Sequence, residues 1–433
     1  MSQTVPVSAS LKAAREASRV MATLTTVQKN QALSAFADLL EEHAENLVAA
    51  NAQDLREQEG KIDNALYQRL KLDNAKLRQL VAGIRSLVNL QDPVGELLMK
   101  TKLDDGLILE KRAVPLGVIG IIFESRPDVM PQILSLILKS GNAVVFKGGR
   151  EAANSNRAFM ELLPQVRDRC PWLPEGWAHL LFTREEAQEM LGYPEYVDLV
   201  IPRGSNALVQ QVMEKTRIPV LGHADGVCHL FVHQSADISK AVRVVVDAKV
   251  NYPSACNALE TLLVQDAVAE RFLGAFAKSA QEAGIEFIAD SASAAYLPGA
   301  KPAKEEDWST EYGDLRLSIK VVADIEEAIA HINRYGSHHT DGIVATDECS
   351  INRFIDAVDS ASVIANASTR FADGFRYGLG AEIGISTART HARGPVGLEG
   401  LVTYKYLLRG EGQIAADYIG EPPASTFKHE RLS

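Results

Sequence analysis

Residues 118–147 read VIGIIFESRPDVMPQILSLILKSGNAVVFK. Two runs, VIGIIF (118–123) and AVVFK (143–147), are apolar and rich in β-branched residues, the pattern of strands buried on both faces. Between them the segment from Val129 to Lys139 carries apolar residues on a helical repeat, and Gly141 closes it. A strand, a helix and a second strand in this order form the unit of a parallel sheet, because parallel neighbours require a crossover of about a dozen residues or more.

The same texture continues outward. HLLF (179–182), DLVI (198–201) and HLFV (229–232) read as further strands, with helices from Asn154 to Leu163 and from Ser205 to Lys215. A second series comes next: a helix from Ile238 to Val250, a strand ETLLV (260–264), a helix from Ala267 to Ala283, and strands SIKVV (318–322), GIVA (342–345) and SVIAN (362–366). The fold class is α/β, with two such layers in succession. Upstream, Leu33, Phe36, Leu40, Ala44 and Leu47 recur at three and four residues, so Ser10 to about Gln58 forms an amphipathic helical cover, with Thr25 or Thr26 as a cap. Residues 96–114 and Val402 to Leu408 fit neither series and read as extended edge strands. Unpaired edges tend to find another chain, which predicts oligomerisation. The polar tail from Gly410 onward reads as loosely packed.

Composition narrows the class. The 433 residues, 46% of them hydrophobic, are enough for a large core and two domains, and the formal net charge of −11 leaves no basic stripe for nucleic acid. Leu116 to Phe123, the most apolar run, stops at Glu124, far short of the ~20 residues of a membrane span. The N-terminal residues lack an apolar export signal. Four scattered cysteines, at 170, 228, 256 and 349, form neither a disulfide framework nor a zinc pattern, so a reducing, cytoplasmic setting is expected.

No strand is followed by G-x-G-x-x-G or by G-x-x-x-x-G-K-[ST]. Glycine-rich turns do occur at strand C-terminal ends, Lys147-Gly148-Gly149 and Arg203-Gly204-Ser205, where open α/β sheets bind ligands and helix N-termini favour phosphate; the alternative is ordinary turn geometry. Cys256 falls between a long helix and a strand, on a connection suited to displaying a nucleophile, although most isolated cysteines are inert. His223, Cys228, His229 and His233 straddle a strand in a spacing that suits a metal poorly, and no metal site is expected. Arg126, Arg370, Arg376 and Arg389 lie in glycine-containing polar segments; most should be structural, and one or two are candidates for holding an acidic substrate.

Taken together, PLGVIGIIFESRPDV, NAVVFKGG, DLVIPRGS, YPSACNALET, INRYGSHHTDGIVAT and NASTRFADGFRYGLGAEIGISTARTHARGPVGLEGL resemble the γ-glutamyl phosphate reductase family, within the aldehyde dehydrogenase superfamily, over essentially the whole chain. The resemblance implies an aldehyde dehydrogenase-like fold of two doubly wound parallel-sheet domains and a small β oligomerisation flap. It divides the chain into a cofactor-binding domain (1–95 and 115–225), a catalytic domain (226–400), and the flap with the C-terminal tail (96–114 and 401–433). It implies NADPH-dependent reduction of L-glutamyl 5-phosphate to L-glutamate 5-semialdehyde and phosphate, the second step of proline biosynthesis, in a homo-oligomer, dimer or tetramer; the lability of that acyl phosphate separately motivates a transient contact with glutamate 5-kinase.

Residue by residue, Cys256 matches the nucleophile, Lys147 the lysine on the adenosine ribose, Gly148 its neighbour, Gly204 and Ser205 the turn near the pyrophosphate, and Glu311 the glutamate on the nicotinamide ribose. Three departures bear on chemistry. Gly148-Gly149-Arg150 replaces a turn containing a glutamate, which removes a carboxylate that would repel a 2′-phosphate. The water-activating glutamate of oxidising relatives is replaced in Gly222-His223-Ala224-Asp225-Gly226, as suits a reductase that must not hydrolyse its thioester. Glu124-Ser125-Arg126-Pro127 lacks the amide of the usual oxyanion hole and leaves the backbone N–H of Cys256 as a candidate donor. Thiol activation is expected from a helix N-terminus, with His223 as the alternative. An oxidising or CoA-acylating dehydrogenase, or a non-catalytic protein on this fold, are the competing readings.

Overall fold

Strands Val118–Phe123 and Ala143–Lys147 are buried along their full lengths, and helix Val129–Lys139 joins them. The structure, a computed structural model, describes residues 6–124, 126–204, 206–222 and 225–432. Its contacts divide the chain into two units: Met1–Leu221 with Gly380–Ile383 and Gly397–Ser433, and Gly222–Leu379 with Gly384–Val396. Among the described residues no helix is long and apolar enough to cross a membrane.

In the first unit the four parallel strands run in the order Ala178–Leu181, Ala143–Lys147, Val118–Phe123, Leu199–Arg203. The chain winds outward from Val118–Phe123 to one side, then returns to lay Leu199–Arg203 on the other. Such a reversal opens a crevice at the strands' C-terminal ends. There the N–H of Glu124 donates to the Arg203 carbonyl at 3.1 Å. Arg15, from helix Val7–Met21, grips Asp198 through both Nη groups at 2.7 and 2.9 Å, and Asp198 also accepts the Val118 N–H at 2.8 Å. One carboxylate thus ties the N-terminal helix to the strand that starts the sheet. Thr25 caps helix Thr26–Glu42 in a capping box with Gln28, but the apolar repeat breaks at His43 and resumes as a separate helix, Ala44–Gln58.

The two stretches set aside from both series pair with each other. Leu97–Asp104 and Leu107–Pro115 form an antiparallel hairpin, and Val402–Arg409 adds along Leu107–Pro115. Val402–Arg409 is an outer strand, with Tyr404, Tyr406 and Leu408 exposed. The tail buries none of its described residues, as loose packing predicts, but it is anchored at particular points. Glu430–Arg431 pairs with the hairpin, Tyr418 stacks on Phe427 and donates to Asp104 at 3.0 Å, and Lys428 reaches Asp104 and Asp105. Aromatic and ionic anchors spaced ten residues apart secure a segment whose overall composition is polar.

The second unit has seven parallel strands in the order Lys301–Pro302, Glu286–Ala289, Arg316–Val322, Leu259–Gln265, Cys228–Val232, Thr340–Val344, Ser362–Ala365. Both faces are covered. Leu230 and Leu262 pack with Phe272 and Phe276 on one side, while Phe231 and Leu263 pack with Phe354 and Ile343 on the other. Each such side chain contributes roughly 1.5–3 kcal/mol of burial, which fixes the sheet against which the connecting loops are held. Patterning does not announce Glu286–Ala289 or Lys301–Pro302, because strands of four and two residues are too short to display a period.

Candidate active site

Cys256 lies in the second unit, on the turn between helix Ile238–Val250 and strand Leu259–Gln265. Tyr252 takes a left-handed φ of 62°, and the N–H groups of Ala255 and Ala258 close successive turns on Tyr252 and Ala255 at 3.0 and 2.8 Å. The thiol-bearing residue is therefore held by backbone bonds and remains part-exposed. It sits where chain enters the sheet, at the amino ends of the strands. This is the opposite edge from the one at which open α/β sheets usually take ligands.

Two neighbours fix its backbone. Gly226 passes so close that a Cβ there would lie 2.2 Å from the Cys256 carbonyl oxygen and 2.7 Å from its Cα. The Cys228 thiol donates to the same carbonyl at 3.2 Å. Cys228 is fully buried, and burial pushes its thiol well above the usual range, so it acts as a neutral donor. Cys170 is buried in the first unit and Cys349 lies exposed on helix Glu348–Ala357.

Glu311 joins this cluster: its Oε2 accepts the Gly226 N–H at 2.9 Å. Its loop is secured by a pair that sequence reasoning did not single out. Lys249 and Glu260, 0% and 1% exposed, meet at 2.7 Å, and the second oxygen of Glu260 accepts the Gly313 N–H at 3.2 Å. Burial pushes Glu260 up to about 7 against the pull of Lys249, and burial drives Lys249 down. The available signal was a glutamate at the start of the apolar run ETLLV, with a lysine near the end of the preceding helix.

Among the described residues the helix flanking the Cys256 turn does not offer it an N-terminus, the source expected to activate the thiol. Helix Ile238–Val250 approaches Cys256 by its C-terminus, the negative end of its dipole, and on the other side of the turn the chain enters a strand. His223 lies outside the described residues. The four arginines separate clearly: Arg126 pairs with Asp128, Arg389 with Asp359, and Arg376 donates to the Arg370 carbonyl at 2.7 Å. Arg370 is buried and has no ion-pair carboxylate among the described residues. Of the metal-like cluster, His229 is committed to Asp341 at 2.9 Å and His233 to Ser235 at 2.9 Å. Among the described residues no three His, Cys, Asp or Glu side chains are grouped to hold a metal.

In the first unit Lys147 ends its strand with Nζ donating to the Gly148 carbonyl at 2.8 Å, and burial lowers its ammonium below the usual lysine range. A Cβ on Gly148 would lie 2.2 Å from Asn156 Nδ2, and the buried Oδ1 of Asn156 has no protein partner. The Asn156 amide thus lies against the bare backbone of Gly148 through Nδ2, while its Oδ1 keeps an acceptor that fits a hydroxyl donor such as that of a ribose. Gly204 lies at the reversal point with the Glu124 carboxylate against it, 2.4 Å from where a Cβ would be. Ser205 lies outside the described residues, as does Ser125 of the oxyanion stretch. One expectation needs correction: the Gly148-Gly149-Arg150 turn is not free of carboxylate, because Glu151 folds back over Gly149, with Oε1 1.9 Å from a Cβ position there.

The model of the aldehyde dehydrogenase family matches residues 2–293. The γ-glutamyl phosphate reductase of Synechococcus sp. (strain JA-3-3Ab) is 52% identical over 434 residues, covering 99% of this chain and 95% of that protein. That of Pelotomaculum thermopropionicum is 51% identical over 420 residues, covering 97% and 96%. The crystal structure of γ-glutamyl phosphate reductase from Thermotoga maritima superposes with a TM-score of 0.92 at 38% identity, covering 95% of this chain and 100% of that one. Cys256, Gly226 and Glu311 thus meet within a chain that belongs to the aldehyde dehydrogenase family, among its γ-glutamyl phosphate reductases.

Proposed function

We propose that Cys256 is the nucleophile through which this chain reduces L-glutamyl 5-phosphate to L-glutamate 5-semialdehyde with NADPH. The observation that carries this reading is the contact of Cys256 with Gly226, whose N–H holds Glu311. A part-exposed thiol and a carboxylate suited to a ribose are fixed on one strip of backbone. The Cys256 thiolate attacks the γ-carbonyl carbon; the new C–S bond replaces the C–O bond to phosphate, which departs with the electron pair. The Cys256 N–H is the proposed donor to the oxyanion formed at that carbon. The family uses NAD(P); in this chain Lys147, Gly148, Gly204 and Ser205 are the proposed cradle of the adenosine and pyrophosphate, and Glu311 that of the nicotinamide ribose. When bound, NADPH supplies the hydride that reduces the thioester to the aldehyde. The cations Lys147 and Arg150 at the adenosine turn favour a 2′-phosphate, although Glu151 opposes them.

The test runs the reaction backwards: NADP⁺ reduction by glutamate 5-semialdehyde, with and without phosphate, for the parent and Cys256→Ala. Activity that requires phosphate and vanishes in the variant is expected. Phosphate-independent activity would point to an oxidising dehydrogenase, and activity surviving in the variant would remove Cys256 from the mechanism. The cytoplasm is the proposed compartment. The exposed face of Val402–Arg409 supports a homo-oligomer, dimer or tetramer; sedimentation as a monomer would refute it. Direct handover by glutamate 5-kinase would be excluded by equal flux with the two enzymes separated by a membrane.

A further inference from the structure

We infer that Arg370 anchors an oxyanion of the substrate, its α-carboxylate or its departing phosphate, beside Cys256. The inference rests on the reading of Cys256 as the nucleophile. Arg370 belongs to the short 3₁₀ helix Thr369–Phe371, and this segment clasps the Cys256 turn at both ends. Arg370 Nε donates to the Asn251 carbonyl at 2.6 Å, and Asn257 Nδ2 donates to the Ala372 carbonyl at 2.9 Å. The guanidinium is thereby held on the turn that presents the thiol, with its carbon 6.0 Å from the Tyr252 ring centroid.

A guanidinium oriented through Nε keeps its two Nη groups as a fork for an incoming carboxylate or phosphate. Arg370 is only 8% exposed, and among the described residues neither Nη has an acceptor and no carboxylate forms an ion pair with it. Its nearest acidic neighbours are otherwise engaged: Asp373 accepts from the N–H groups of Phe375 and Arg376, and Asp247 from the Asn251 amide. Burial pulls Arg370 below the usual guanidinium range and Arg376 adds to this, while negative charge on Cys256 opposes it. A buried cation without an ion-pair carboxylate is costly to hold, and an anionic substrate at Cys256 would satisfy it.

The experiment uses the full chain in the reverse reaction, with Arg370→Met and Arg370→Lys. Three quantities are read: kcat/KM for glutamate 5-semialdehyde, kcat/KM for a neutral four-carbon aldehyde, and KM for phosphate. If the α-carboxylate is the ligand, Arg370→Met loses roughly 10- to 100-fold on glutamate 5-semialdehyde and little on the neutral aldehyde. If phosphate is the ligand, its KM rises by a similar factor with either aldehyde. Under either arm Arg370→Lys recovers part of the loss through its charge. Equal losses on both aldehydes with an unchanged phosphate KM, or no loss at all, would overturn the assignment. A parent chain without phosphate-dependent activity would instead sink the reading of Cys256.

Discussion

Replacing Lys249 by Met tests whether the buried pair with Glu260 is ionised as its geometry implies. Met keeps most of the stem and removes the charge from a contact of 2.7 Å in which both side chains are essentially inaccessible. In the unfolded chain Glu260 titrates near ~4.3. In the parent burial has already pushed it up to about 7, with Lys249 pulling the other way. A raised carboxyl stabilises fully below its unfolded pKa, and that stability is lost as pH rises through the folded value. In the parent the loss therefore ends near pH 7, whereas in Lys249→Met, with nothing to hold the carboxylate ionised, it continues upward at about 1.4 kcal/mol per pH unit. Lys249 acts in the same sense: its lowered folded pKa gives the parent stability that grows as pH climbs toward the unfolded lysine value, and the variant lacks it. At pH 6 the variant should lose only the hydrogen bond, about 1–3 kcal/mol. By pH 8.5 the gap should widen by about 2 kcal/mol. Trp308 is buried in the second unit and is one of three tryptophans, so urea unfolding in a Trp172→Phe, Trp177→Phe background reports on this unit alone. An equal stability loss at the two pH values, or a smaller one at pH 8.5, would refute the reasoning.

Two further outcomes rest on close contacts. In Gly226→Ala the new Cβ would meet the Cys256 carbonyl oxygen at 2.2 Å, a backbone atom that cannot swing aside, so activity should fall at least roughly 100-fold (about 2.7 kcal/mol of barrier) together with the rate of Cys256 alkylation; parent-like alkylation would show that the turn tolerates the group. Lys147→Met should raise KM for NADPH roughly tenfold with little change in kcat, since the ammonium lies at the proposed adenosine turn and away from chemistry; an unchanged KM would remove Lys147 from the cofactor site.

The two sheets are legible in the sequence because their strands are buried on both faces, so burial writes itself as uninterrupted apolar runs: VIGIIF and AVVFK coincide with Val118–Phe123 and Ala143–Lys147, and helices Val129–Lys139 and Ile238–Val250 fall where their repeats end. Cys256 and Glu311 stand out through family motifs. Lys249, Glu260 and the approach of Gly226 do not, since the first two are neighbours only because a turn folds between them, and the third depends on two loops that sequence separates by thirty residues. The order of the tail is hidden for a related reason: Tyr418 and Lys428 act through partners at Asp104 and Asp105, more than three hundred positions away, and Phe427 through its stack on Tyr418.

The location of Cys256 also decides what must activate it. A nucleophile at the carboxyl edge of a parallel sheet is met by the N-terminus of the next helix, whose free N–H groups favour a thiolate without help from side chains. Cys256 stands at the amino edge, reached from the C-terminal end of Ile238–Val250, where the dipole carries roughly half a negative charge. That end disfavours the thiolate, and the Cys228 thiol, pushed upward by burial, adds no positive charge. Among the described residues a side-chain cation is the source of compensating charge that the turn offers. The Asn251 carbonyl, among the last of that helix terminus, is the group to which Arg370 donates at 2.6 Å. The same guanidinium thus offsets the negative helix end and keeps its Nη fork for an anion, which explains why an arginine, with its several fixed donors, suits this position and a lysine would serve it only in part.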